Sequence, residues 1–264
     1  MSLRINNNVE AFNAHRQLVG TSDKVAKAME RLSSGLRINR AADDAAGLAI
    51  SEKLRGQIKG LGQAERNTQD GVSLVQTAEG SLNEVHSMLQ RVRELAVQYK
   101  NGTLSTSDKA AITAEATQLS AEITRIRDSA QFNGIKLLNA STTISFQVGA
   151  NDGDTITVST SDLSVAVGTI SLDSATALQE IDTAIGNVSN LRGSFGAVQN
   201  RLEHTLNNIR TYQENLTSSE SRIRDVDMAS EMVEFTKNNI LQQAGTAMLA
   251  QANQSPQAVL SLLR

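Results

Sequence analysis

The residues of this chain that could do chemistry are few, and the most suggestive are two adjacent carboxylates. Asp43 and Asp44 lie in the stretch AADDAAG, where paired acidic side chains could act as general acid and base. No histidine or nucleophile is patterned near them, as a catalytic site would require. We therefore favour a structural interpretation, in which both carboxylates flank or cap the start of a long helix and interact with its positive end.

The three histidines support the same interpretation. His15, His86 and His204 are far apart in the sequence, and no H-E-x-x-H motif occurs. The chain contains no cysteine, so neither a thiolate metal site nor a disulfide can form. The sequence predicts no enzyme, no catalytic residue, no metal site and no cofactor, and we expect the histidines on exposed helix faces.

Charge and hydropathy argue against nucleic acid and membranes as partners of this chain. The 264 residues carry a formal net charge of -3, and Lys and Arg are mixed with Asp and Glu, which argues against nucleic acid as a partner. Residues 240–263 carry no Lys, Arg, Asp or Glu, but they contain Gln, Asn and Pro256, so no membrane insertion is expected. The first fifteen residues lack the apolar run and cleavage site of a secretory signal peptide.

The spacing of apolar residues predicts long helices. A seam runs through residues 43–99 with steps that average about 3.5 residues, the period of a coiled coil. A second helix is expected after the capping stretch Ser105 to Asp108, and a third over residues 174–222. Residues 141–160 alternate apolar and polar side chains around a turn, which predicts a β-hairpin, and Asn133–Gly134 indicates another tight turn.

The two terminal segments carry apolar residues at heptad spacing. In the N-terminal segment, Leu18, Val25 and Leu32 are seven residues apart. The C-terminal segment has two such stripes: one contains Val233, Ile240 and Ala247, and the other contains Leu241 and Met248. A helix that is apolar on more than one side needs more than one neighbour. We expect one neighbour to be the other terminal segment and the rest to be further copies of the chain.

These patterns predict a mainly α fold, a long coiled-coil helical bundle with a small β-hairpin region and with the N- and C-termini paired as a coiled coil. We expect a terminal core domain formed by residues 1–42 plus 222–264. A helical rod domain over residues 43–221 would include the hairpin at about 141–160.

Four stretches of the sequence are distinctive: SSGLRINRAADDAAGLAISEKLRGQIKGLGQAERNTQDGVSLVQTAEG, LQRVRELAVQ, QFNGIKLLN and ILQQAGTAMLAQANQSPQAVLSLLR. All four resemble bacterial flagellin. The resemblance covers about residues 1–140 and 175–264. Many flagellins insert large outer domains between these regions, whereas this chain has about thirty residues there. It therefore resembles a short form with the inner two domains and no large outer domain.

The resemblance implies a structural subunit that self-assembles into the flagellar filament for swimming motility, a helical homopolymer of many copies. It implies export through the flagellar type III apparatus, directed by an uncleaved N-terminal segment, and folding under the filament cap at the end of the extracellular filament. An export chaperone, the cap and the junction proteins are the other bacterial partners that it implies.

Residue roles follow from the same resemblance. The motif QRVRELAVQ is similar to a surface that packs against the neighbouring subunit and that an innate immune receptor of animals recognises, which implicates Gln90, Arg91, Leu95 and Glu115. Ordinary solvated charges and a partly buried leucine are the alternative for these four residues. The final leucines, Leu260, Leu262 and Leu263, are implicated in core packing and in binding the export chaperone.

Two alternatives to the filament subunit stay open at the level of sequence. A hook–filament junction protein shares flagellin-like terminal helices, although RINRAADDAAGLAIS and the continuous LQRVRELAVQ favour flagellin. A secreted coiled-coil effector that acts on membranes would need a basic amphipathic face, which this sequence lacks.

Overall fold

The structure is a computed structural model that describes residues 7–163 and 171–262. Over these residues it contains five helices and two pairs of antiparallel strands. The helices are α1 (Val9–Ser34), α2 (Ala45–Tyr99), α3 (Thr106–Ser129), α4 (Ala177–Arg224) and α5 (Met228–Leu262). The strands are β1 (Gln131–Phe132), β2 (Ile135–Lys136), β3 (Thr143–Gln147) and β4 (Thr155–Ser159). The mainly α fold with a small hairpin region is thereby confirmed.

The chain divides into two compact units. The terminal unit comprises Met1–Gly56 and Asn215–Arg264, and the central unit comprises Gln57–Glu214. The terminal unit contains α1 and α5, and the central unit contains α3 and both strand pairs. The boundaries expected from the sequence, 1–42 plus 222–264 and 43–221, stay a prediction.

The predicted seam of α2 is the main buried surface of the central unit. Its apolar side chains at 61, 75, 78, 82, 85, 89, 92 and 96 are at most 3% exposed. At the start of the helix the pattern does not hold, because Ile50 is 52% exposed. Leu74 and Leu95 are also buried, at 1% exposure each, so the buried stripe is wider than a single coiled-coil seam.

Helix α3 begins at a capping box. The Ser105 hydroxyl accepts the backbone N–H of Asp108, and the Asp108 carboxylate accepts the backbone N–H of Ser105. This arrangement satisfies donors that the first helical turn would otherwise leave free. The capping stretch predicted from the sequence is confirmed, and it fixes where α3 starts to pack its Ile112 and Ala116 against α2.

Both hairpin predictions are also confirmed. Asn133 and Gly134 adopt positive φ angles of 48° and 80° between β1 and β2, as a two-residue hairpin turn requires. In the longer hairpin, Phe146 of β3 pairs with Ile156 of β4. A Cβ placed at Gly71 would lie 3.4 Å from Cγ of Phe146, which is van der Waals contact distance, so the hairpin packs directly on α2 at this position.

Candidate functional site

The terminal unit brings together the two ends of the chain, which are the segments that the sequence singles out for assembly. Helices α1 and α5 run antiparallel, with Asn8 near Ala252 at one end and Arg31 near Glu231 at the other. Beyond α1, the backbone N–H of Arg37 donates to the Arg224 carbonyl at 2.7 Å. The predicted pairing of the N- and C-termini is confirmed.

The inward face of α1 has the expected heptad spacing. Its half-buried or buried residues are Ala11, Ala14, Leu18, Thr21, Val25, Ala28 and Leu32, at alternating steps of three and four. The predicted residues Leu18, Val25 and Leu32 lie on this face. The exposed face of α1 retains Phe12, which is 68% exposed, and Val19, which is 47% exposed.

The inward face of α5 is one that sequence reasoning missed. It consists of Glu231, Phe235, Asn238, Gln242, Gly245, Leu249 and Ala252, again at steps of four and three. Hydrophobic periodicity could not find it, because only Phe235 and Leu249 are large apolar residues. The signal that could have found it is complementarity of size, since Gly245 faces the large side chain of Leu18.

The apolar stripes predicted for α5 are exposed and do not belong to the face that meets α1. Val233 is 70% exposed, Ile240 61%, Met248 63% and Leu241 48%. We call these four residues the outer stripe of α5. Each would gain about 1.5–3 kcal/mol on full burial, so a further neighbour that covers this face would gain hydrophobic free energy.

The last residues of the chain are described only in part. Leu260 and Leu262 lie within α5, whereas Leu263 lies outside the described residues.

The connection between α1 and α2 is organised by the two carboxylates that suggested chemistry. Asp43 binds Lys27 Nζ at 2.7 Å and accepts the backbone N–H groups of Asn39 and Arg40. The hydrogen bond from Lys27 is the main reason that the pKa of Asp43 falls to about 2. Asp44 accepts the backbone N–H of Gly47 at 2.8 Å, and so caps the first turn of α2, as the structural interpretation predicts.

The second group of predicted residues lies in the central unit. Arg91 of α2 bridges to Glu115 of α3 and to Glu94, at 2.9 and 3.0 Å. Glu115 is the main cause of the raised pKa of the Arg91 guanidinium. Gln90 is exposed one residue earlier, and its Nε2 lies 3.1 Å from His86 Nε2.

Leu95 does not share this surface. It is 1% exposed and belongs to the buried cluster in which α2 packs against α3 and α4. The sequence suggested a partly buried flank, whereas the side chain is part of the core. Gln90, Arg91 and Glu115 therefore form the exposed surface, which Leu95 supports from below.

Neither a metal centre nor a membrane span is evident where the structure can be described. Over residues 7–163 and 171–262, His, Cys, Asp and Glu do not gather in groups of three that could hold a metal ion. Among the helices of that same part of the chain, none is long and apolar enough to cross a membrane.

Comparisons with known proteins agree with this arrangement. The model of the bacterial flagellin N-terminal helical region matches residues 5–143, and that of the C-terminal helical region matches residues 178–263. Flagellin of Halalkalibacterium halodurans is 56% identical over 98% of this chain and 99% of its own length. Flagellin of Bacillus subtilis is 49% identical over 99% of this chain and 100% of its own length. The crystal structure of Bacillus cereus flagellin has a TM-score of 0.51, with 34% identity over 55% of this chain and 88% of that one.

Proposed function

The chain belongs to the bacterial flagellin family and is a structural subunit of the flagellar filament, and we propose that the outer stripe of α5 makes its contacts with neighbouring copies. The observation that carries this proposal is the exposure of Val233, Ile240, Leu241 and Met248 in a helix that already has its intrachain partner. Contiguous exposed apolar surface of this kind marks interaction sites in soluble proteins.

The direction of the stripe explains why it suits a polymer. The surface of α5 that meets α1 is used within one chain, so the outer stripe is available to a different surface of the next copy. A contact between two different surfaces does not have to close on itself, and it propagates as a helical array. The exposed Phe12 and Val19 of α1 are apolar candidates on the same unit for such contacts.

Filament growth by purified protein tests the proposal. Ile240→Gln keeps the size and helical propensity of the side chain close to the original but removes most of its hydrophobic gain on burial. We expect the critical concentration for growth to rise about tenfold, which corresponds to about 1.4 kcal/mol per contact. Ile240→Leu, which retains the apolar surface, is the matched control. Normal assembly of Ile240→Gln would contradict the role of the stripe.

The domain assignment extends the same proposal. Residues 1–42 plus 222–264 would form the terminal core domain of the subunit, and residues 43–221, with the hairpin at about 141–160, would form its helical rod domain. The division of the chain into a terminal and a central compact unit supports this assignment.

The route to the filament is a further part of the proposal. Flagellins form an extracellular filament, and we assign to this chain secretion through the flagellar type III export apparatus. The outer stripe of α5, together with Leu260, Leu262 and Leu263, would bind an export chaperone in the cytosol. An apolar helix face can occupy a chaperone groove in the same way that it later occupies a neighbouring subunit. The filament cap and junction proteins complete the set of partners.

The surface formed by Gln90, Arg91 and Glu115 is assigned to contact with a neighbouring subunit and, in animals, to recognition by the innate immune receptor for flagellin. Support comes from its exposure and from the bridge between Arg91 and Glu115, which presents polar groups of two helices in one fixed arrangement. A receptor-reporter assay with Arg91→Ala is the test. Arg93→Ala, which removes a different exposed ion pair, to Asp182, is the control.

A further inference from the structure

Asn8 makes two hydrogen bonds with opposite ends of its amide. Its Oδ1 accepts the backbone N–H of Ala11 at 3.0 Å, so Asn8 caps the start of α1. Its Nδ2 donates to the backbone carbonyl of Ala252 in α5 at 2.7 Å. One side chain therefore links the first turn of α1 to a helix that lies 244 residues later in the chain.

The carbonyl that Asn8 reaches differs from its neighbours in one respect. Within an α-helix, the carbonyl of residue 252 accepts the N–H of residue 256. Residue 256 is Pro256, which lies inside α5 and has no backbone N–H. The proline thus removes the intrahelical donor of Ala252, and the amide of Asn8 supplies a donor from the other helix.

We propose that Asn8 and Pro256 are a matched pair, in which Asn8 satisfies the carbonyl that Pro256 leaves without its helical donor. The pair makes the start of α1 and the last part of α5 order together. Asn8 and the Ala252 carbonyl each lose a hydrogen-bond partner when the other is absent. Without α5, Asn8 still caps α1 but its Nδ2 loses its acceptor, and without Asn8 the Ala252 carbonyl loses the donor that replaces the missing N–H.

This coupling favours simultaneous ordering of the two chain ends. Ala252 lies 244 residues after Asn8, so α1 is synthesised well before its partner in α5. The full set of hydrogen bonds at the start of α1 is therefore reached only when α5 is also present.

Three variants separate the two roles of Asn8. Asn8→Ser retains the oxygen that caps α1 but is too short and lacks the amide that reaches α5. Asn8→Asp retains the cap, and its negative charge favours the helix start, but it places a carboxylate against the Ala252 carbonyl. Pro256→Ala restores the intrahelical N–H donor to Ala252, so that the amide of Asn8 becomes dispensable.

The measurement is hydrogen exchange of the full-length protein, followed by mass spectrometry, in solution and in assembled filaments. We expect Asn8→Ser and Asn8→Asp to exchange about tenfold faster in residues 9–14 and 246–254, the scale of one lost hydrogen bond to an otherwise unpaired carbonyl. In the Pro256→Ala background the two substitutions should have little effect. Asn7→Ser, at the neighbouring exposed asparagine, is the control and should match the starting protein.

Two results would overturn the proposal. One is exchange of Asn8→Ser and Asn8→Asp that equals the starting protein in both states, which would make Asn8 a cap only. The other is an effect of the same size in the Pro256→Ala background, which would show that Asn8 and Pro256 act independently. Filament growth of the same variants is scored separately, so failure of this pairing is distinguishable from failure of the outer stripe.

Discussion

Leu18 of α1 lies directly over Gly245 of α5, and a Cβ built at Gly245 would stand 3.3 Å from Leu18 Cδ1. The large side chain of one helix thus occupies the space that the other leaves open. The register of α1 and α5 is set by this matching of sizes as well as by the hydrogen bonds at the ends of the pair.

Filling the space under Leu18 should destabilise the terminal unit. Gly245→Leu must displace Leu18 or push the helices apart, and overpacking of this kind costs about 1–3 kcal/mol. The substitution also removes a helical glycine, which favours the helix by up to about 1 kcal/mol. We expect a net loss of stability, measured by urea unfolding of α-helical circular dichroism.

Gly20→Leu isolates the steric term. Gly20 lies in α1 with no atom near the position of a Cβ, so the same substitution there gains helical propensity without a clash. It should leave the protein as stable as before or more so. Equal behaviour of the two variants would rule out close packing of Leu18 on Gly245.

The sequence alone predicts the mainly α fold and its hairpins, but it predicts the contact face of only one of the two paired helices. On α1 the heptad spacing and the inward face coincide, because Leu18, Val25 and Leu32 are apolar, seven apart and half-buried. The inward face of α5 was not predicted, because Asn238, Gln242 and Gly245 carry no hydrophobic signal. The apolar residues of α5 that periodicity did find lie on the outer stripe instead. A helix that packs against its own chain on one face and against another copy on a second face carries apolar residues on both. The sequence pattern alone does not say which of the two faces is buried within the chain.

Replacement of Asn238 should stabilise the terminal unit. Its side chain is 4% exposed in the α1–α5 seam, and its Nδ2 finds no acceptor among the residues that the structure describes. A buried donor without a partner costs about 1–3 kcal/mol, and an apolar side chain of similar shape removes that cost. We expect Asn238→Leu to raise the urea midpoint.

The neighbouring asparagine provides the comparison for this substitution. Asn239 lies beside the seam, where its side chain accepts a hydrogen bond from Gln243. Asn239→Leu should gain less than Asn238→Leu. If Asn238→Leu lowers the midpoint, the amide has a partner that is worth more than the apolar contact.

The Asp43 carboxylate should make the terminal unit sensitive to acid. Its pKa is lowered from 3.8 to about 2 in the folded protein, chiefly by the hydrogen bond from Lys27. A lowered pKa in the folded state gives stability that is fully present above the unfolded value and is lost as the pH falls through the folded value. The contribution of Asp43 should therefore disappear between about pH 4 and pH 2.

Two variants check the sign and the cause. Asp43→Asn should be less stable than the starting protein at pH 6, and the two should converge at pH 2. Lys27→Met should move the pKa of Asp43 back towards its ordinary value, as followed by NMR titration of the carboxyl carbon. An unchanged pKa in Lys27→Met would assign the shift to the backbone donors of Asn39 and Arg40 instead.

Leu95 and Arg91 should separate stability from recognition in the central unit. Leu95 is 1% exposed, so Leu95→Ala leaves a cavity between α2 and its partners and should cost about 2–5 kcal/mol. Arg91 and Glu115 are 51% and 46% exposed, and an exposed ion pair contributes about 0–1 kcal/mol. Arg91→Ala should therefore unfold in urea almost as the starting protein does, while Leu95→Ala should unfold at a much lower urea concentration.

If both variants reduce receptor activation, only the loss in Arg91→Ala reports on the recognised surface, because the loss in Leu95→Ala would follow from its lower stability. Leu95→Met nearly conserves the volume of the side chain and tests whether the leucine acts only through packing. If Leu95→Met regains both the stability and the receptor activation that Leu95→Ala loses, Leu95 acts through packing alone. If it regains the stability but not the activation, Leu95 itself belongs to the recognised surface.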